Sequence, residues 1–157
     1  MSGRKEIVEM CRQKARPYLF SNTIAPVVVS GVLKVFDILS GSTERRDKLE
    51  NNTSFWRAGL CDAGFVIKDG ESPIVPVMLF NAKLSQDVSR DLYDEGIYAI
   101  GFFFPVVPNG QARIRTQISA GHEIHHLEKA LAAFKKVGEK HGILGLDKKQ
   151  IIAKYGL

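Results

Sequence analysis

The six residues Pro105-Val106-Val107-Pro108-Asn109-Gly110 constrain this chain more than any other stretch. Each proline fixes φ and removes a backbone donor, and Asn-Gly favours a turn, so neither a helix nor a strand runs through them. The segments on either side are short. Ile97 to Phe104 is rich in β-branched and aromatic residues and reads as a strand. Ala112 to Ser119 reads as a second one, and its period-two alternation places Arg113 and Arg115 on one face. An arginine pair of this kind is commonly a solvated face. Its forked guanidinium groups also suit a carboxylate or a phosphate, through two parallel charge-assisted hydrogen bonds.

The remaining elements follow from spacing. Lys5 to Ala15 has Ile7, Val8 and Cys11 at helical intervals, with Pro17 expected to end the helix and Tyr18 to Asn22 to continue extended. Thr23 is the expected N-cap of an apolar, buried helix to Leu39, with Pro26 in its first turn. Ser42 is placed to cap a long helix carrying Leu49, Trp56, Leu60 and Ala63 on one stripe and stopped by Gly64. Phe65 to Ile67 and Ile74 to Leu79 read as a hairpin around Lys68 to Ser72. Leu84, Val88 and Leu92 belong to a helix that Gly96 ends, and a last long helix from Glu123 turns Ile124, Leu127, Leu131, Phe134 and Val137 inward up to Gly142. After Gly145 the chain is a short extra helix or a disordered tail. The sum is an α+β fold, a mainly antiparallel sheet of about four strands with helices packed on one face.

Composition limits the partners. The chain has 157 residues, 45% of them hydrophobic and 25% charged, which suits one globular domain. No apolar run reaches the roughly 20 residues that span a bilayer, and the N-terminus has no apolar export core, so a soluble protein with no membrane association is expected. The formal charge of +5 points to an anionic partner. Its lysines and arginines are scattered without interleaved aromatics, which argues against nucleic acid. Cys11 and Cys61 lie far apart with no ligand-spaced histidine, so reduced, buried thiols are expected and neither a disulfide nor a metal site. His122-Glu123-Ile124-His125-His126 matches the zinc-binding H-E-x-x-H pattern literally, but it straddles a helix start and lacks a third ligand, so it is read as a capping first turn. No phosphate-cradling glycine loop or nucleophile elbow is present, and the residues alone define no catalytic constellation.

The run from Glu95 to Ala120, with Gly101-Phe102-Phe103-Phe104-Pro105 and Gln111-Ala112-Arg113-Ile114-Arg115-Thr116-Gln117 at its centre, closely resembles the pyridoxal-phosphate-dependent α-oxoamine synthases, and within them the glycine C-acetyltransferase branch. Arg4-Lys5-Glu6, Arg16-Pro17-Tyr18-Leu19-Phe20-Ser21-Asn22 and Ile74-Val75-Pro76-Val77-Met78-Leu79 match the same family in the same order. The resemblance covers residues 3–144. It departs at Asn109, Phe104, Cys11 and Glu123, where the family commonly has a basic residue, tyrosine, leucine and a small hydroxyl residue.

The resemblance implies the C-terminal small domain of a fold-type-I enzyme: residues 1–22 follow a large cofactor domain, 23–144 form the small domain, and 145–157 a tail. It implies an acyltransferase that joins glycine and acetyl-CoA to 2-amino-3-oxobutanoate, and cleaves that product with CoA in reverse. The Schiff-base lysine then lies upstream, and none of Lys5, Lys14 or Lys34 replaces it. Arg115 matches the arginine that binds the amino-acid carboxylate; for Arg113 the alternative to a role in the site is a supporting salt bridge. Ser21 and Asn22 match the stretch that reaches the cofactor phosphate in the partner subunit of a homodimer. The implied compartment is the cytoplasm, or the mitochondrion in a eukaryote. The alternatives are 5-aminolevulinate or 8-amino-7-oxononanoate synthesis, or a noncatalytic binding or dimerisation module.

Overall fold

A computed structural model describes residues 3–156. The chain divides into two compact units, one up to Thr43 and one from Glu44. The first holds α1 (Lys5–Lys14), α2 (Arg16–Phe20) and α3 (Pro26–Gly41). Pro17 does break the first helix, but it also sits in the opening turn of α2, where a missing N–H costs nothing, so Tyr18, Leu19 and Phe20 are helical rather than extended. Ala25 rather than Thr23 is the N-cap of α3, with Pro26 at its first position. The expectation that α3 is buried fails. Val27, Leu33 and Phe36 are 83%, 59% and 62% exposed, and no residue of the helix is buried.

The second unit begins with α4 (Glu44–Asp62), followed by β1 (Ile74–Phe80), α5 (Ala82–Asp94), β2 (Gly101–Phe102), β3 (Ala112–Gln117), α6 (Ile124–His141) and α7 (Lys148–Tyr155). The sheet is antiparallel throughout, in the order β1-β3-β2. It has three strands among the described residues rather than four. Gly64, at φ 86°, closes α4 by letting the Phe65 N–H reach the Leu60 carbonyl. Only Phe65 to Ile67 then remain before the turn, enough for a single Ile67–Val77 bridge but not for a ladder.

The strand expected over Ile97 to Phe104 is likewise reduced to Gly101–Phe102. Its first residue is used elsewhere, the Ile97 N–H donating to the Leu92 carbonyl around Gly96 to close α5. Val75 and Val77 of β1 lie opposite Thr116 and Ile114 of β3, and this face is buried. It forms one apolar cluster with Trp56 and Leu60 of α4, Leu84, Val88 and Leu92 of α5, and Leu127, Leu131, Phe134 and Val137 of α6. Ile124, expected inward, is 46% exposed at the first position of α6. The tail is a helix, capped by the Asp147 carboxylate on the Gln150 N–H and held by buried Ile151. Both cysteines are free, Cys61 exposed and Cys11 half-buried, which corrects the expectation of buried thiols.

Candidate functional site

A cleft of about 600 Å³ opens in the second unit between residues 96–100, the C-terminal half of β3 and the first turns of α6. Its geometry grows from the sheet. Thr116 points into the buried face, where its hydroxyl donates to the Val75 carbonyl at 2.7 Å and accepts the indole N–H of Trp56 at 2.8 Å. This chain of two hydrogen bonds anchors Trp56, which lines the cleft, against the strand. Alternation then turns Arg115, one residue earlier, to the opposite face, where it is exposed.

The Arg115 guanidinium lies over the Phe102 ring, with Cζ 4.8 Å from the ring centroid. The ring orients the planar cation while leaving its in-plane donors available. Among the described residues no carboxylate pairs with Arg115, nor with Arg113, so the salt bridge weighed as the alternative for Arg113 is not formed there. Arg113 lies between Met78 and Phe102 in the sheet and is half-buried. Of the two arginines, Arg115 lines the cleft.

The histidine motif is occupied by structural work. The Ser119 N–H donates to His122 Nδ1 at 3.3 Å and the Glu123 N–H to His126 Nδ1 at 3.0 Å, while Asn52 Nδ2 donates to the Ser119 and His122 carbonyls. The Glu123 carboxylate takes a 2.6 Å hydrogen bond from Lys48, which holds its pKa below the ordinary glutamate value. These bonds tie α4 to the start of α6.

Ser21 and Asn22 lie in the first unit, directly after α2 and exposed. The Ser21 N–H closes α2 on the Pro17 carbonyl at 3.0 Å. Sequence reasoning missed Phe102, Trp56 and Lys129 as parts of the cleft. Trp56 and Phe102 were read only as core or strand residues, because spacing within one segment does not show which distant segments converge.

Residues 1–134 match the aminotransferase class I and II family, and the chain belongs to it. It is 45% identical over 143 residues to the 2-amino-3-ketobutyrate coenzyme A ligase of Escherichia coli K12, covering 91% of this chain and 36% of that protein. It is 42% identical to the 8-amino-7-oxononanoate synthase of Thermosipho melanesiensis, covering 92% and 37%. Among solved structures, serine palmitoyltransferase from S. paucimobilis with bound PLP–myriocin aldimine superposes with a TM-score of 0.83 at 27% identity, over 92% of this chain and 36% of that one. The chain thus spans little more than a third of the length of the relatives it matches.

Proposed function

We propose that this chain is the C-terminal, carboxylate-binding part of a pyridoxal-phosphate-dependent acyltransferase that joins glycine and acetyl-CoA to 2-amino-3-oxobutanoate. The observation that carries the reading is Arg115: an exposed guanidinium at the rim of a cleft, braced by Phe102 and with no carboxylate paired to it among the described residues, within the run that resembles the glycine C-acetyltransferases. A guanidinium left in this state is ready for an incoming carboxylate.

The residues present fit the two ends of such a site. Arg115 offers the carboxylate fork, and exposed Ser21 and Asn22 offer short polar groups to a phosphate, from the partner subunit of a homodimer. Pyridoxal phosphate, when bound, supplies the electron sink that makes the glycine Cα–H acidic. This chain holds the carboxylate and so fixes the substrate's rotation, which selects the Cα bond to be broken. The Schiff-base lysine belongs upstream of Arg4 in the full-length enzyme, so the chain alone is inactive. Residues 1–22 follow the cofactor domain, 23–144 form the small domain and 145–157 the tail. The enzyme works in the cytoplasm, or in mitochondria in a eukaryote.

In the full-length enzyme, Arg115→Ala is expected to lower kcat/KM for glycine at least 100-fold, on the order of 3 kcal/mol, as a desolvated carboxylate loses its partner. The KM for acetyl-CoA should stay within about twofold. Unchanged glycine kinetics would remove the assigned role. The similarity to 8-amino-7-oxononanoate synthase supports a second reading with another amino acid and acyl-CoA. Steady-state assays crossing glycine and alanine with acetyl-, succinyl- and pimeloyl-CoA separate the two, and preference for any pair other than glycine with acetyl-CoA defeats the first.

A further inference from the structure

Residues 97–101 meet α5 at every second position. The Ile97 N–H donates to the Leu92 carbonyl at 2.8 Å, Ser89 Oγ donates to the Ala99 carbonyl at 2.6 Å, and a Cβ on Gly101 would stand 2.7 Å from the Ser85 carbonyl oxygen. Leu92, Ser89 and Ser85 are spaced three and four residues apart, which puts them on one face of the helix. The two rises agree, since seven helical residues span about 11 Å and four extended ones about 13 Å. Tyr98 and Ile100, the alternate positions, are exposed.

Two of these three contacts use helix carbonyls that any residue would supply, and Ser89 contributes the one side chain. A serine inside a helix commonly turns its hydroxyl back to a carbonyl of the preceding turn, as Ser85 does to Ala82 at 2.7 Å. Ser89 instead reaches across to Ala99. The run it holds ends in β2, which pairs with β3 only at Gly101–Ile114 and Phe102–Arg113. With so short a ladder, the place of Phe102 depends on how residues 97–101 dock against α5, and the Arg115 guanidinium lies over that ring.

We propose that Ser89 is a positioning residue for Arg115: its hydroxyl fixes residues 99–102 on α5, so that the Phe102 ring sits beneath the guanidinium and the fork is oriented before a carboxylate arrives. Ser89 does not line the cleft, so it acts through the ring and not on the ligand. Its consequence for glycine rests on the carboxylate role proposed above for Arg115.

Ser89→Ala and Ser89→Thr are compared with the parent in the full-length enzyme. Ser89→Ala should raise the KM for glycine about three- to tenfold, the effect of losing one neutral hydrogen bond, while kcat and the KM for acetyl-CoA stay within about twofold. Ser89→Thr keeps the hydroxyl and should restore the glycine KM. In an Arg115→Ala background, Ser89→Ala should change the glycine KM no further, because its effect passes through that arginine. In the 157-residue chain, the Arg115 δ-methylene NMR signals, displaced by the Phe102 ring current, should move on Ser89→Ala toward their positions in Phe102→Leu. A glycine KM unchanged by Ser89→Ala, or raised by the same factor in the Arg115→Ala background, would overturn the proposal, since lost packing alone acts without Arg115. If Arg115→Ala itself leaves glycine kinetics unchanged, the carboxylate reading falls and the ring-current shift carries the test: Arg115 signals unmoved by Ser89→Ala overturn the positioning role as well.

Discussion

Arg115 and Gly101 show how much hangs on single positions. On the proposed carboxylate role, replacing Arg115 by lysine keeps the charge but removes the fork, so in the full-length enzyme glycine affinity should fall less than in Arg115→Ala and the stacking on Phe102 should be lost. Glycine binding by isothermal titration compares the two variants. Gly101 is required for a different reason. A Cβ there would stand 2.7 Å from the Ser85 carbonyl oxygen, a backbone atom that cannot step aside. Gly101→Ala is therefore expected to lose about 1–3 kcal/mol in urea unfolding. Gly31, in the middle of α3 with nothing within 4 Å of its absent Cβ, should respond in the opposite sense and gain about 0.5–1 kcal/mol as alanine. Both glycines look alike in sequence. Only the neighbour across space tells them apart.

Between elements, α5 and α6 are joined by a charged cluster near their far ends. Asp91 accepts from Lys140 at 2.7 Å through one carboxylate oxygen and lies 2.7 Å from His141 Nε2 through the other. The hydrogen bond from Lys140 is the largest influence that lowers its pKa; burial opposes it and His141 adds to the lowering. A carboxyl group whose pKa is lower in the folded state binds fewer protons there than in the unfolded chain. Its contribution to stability is thus present above the unfolded pKa near 4 and lost as pH falls through the lower, folded value. Asp91→Asn should flatten the stability profile below about pH 4, measured by urea midpoints across pH, while the parent keeps its slope. The limits of the elements were legible where a glycine closes a helix, as at Gly64, Gly96 and Gly142, since a positive φ there is a local demand. Strand lengths were not. Ile97 to Ile100 has strand composition, yet Ile97 is committed to closing α5 and Ala99 is held by Ser89, both contacts made outside the segment.

At the scale of the whole molecule, the two units differ in kind. No described residue of α1, α2 or α3 is buried, whereas the second unit carries the apolar core. Local stability follows buried contacts, so amides of α3 should exchange markedly faster than those of α5 and α6 in hydrogen-exchange measurements on this chain. Apolar exposure on every side of α3 should also make the chain self-associate with rising concentration. Paired charges, Val32→Lys with Phe36→Glu, should suppress that in sedimentation experiments without changing the stability of the second unit. Several things were determined by the sequence alone: the α+β class, the helices with their glycine stops, the alternation that separates Arg115 from Thr116, and the family. Each depends on local backbone preference or on the order of residues along one segment. The tertiary structure decided that the sheet has three strands among the described residues, that α3 is uncovered, that Phe102 braces Arg115, and that β2 pairs with β3 only through Gly101 and Phe102. All four depend on which of several competing partners a segment meets when the chain folds, and periodicity carries no information about that competition.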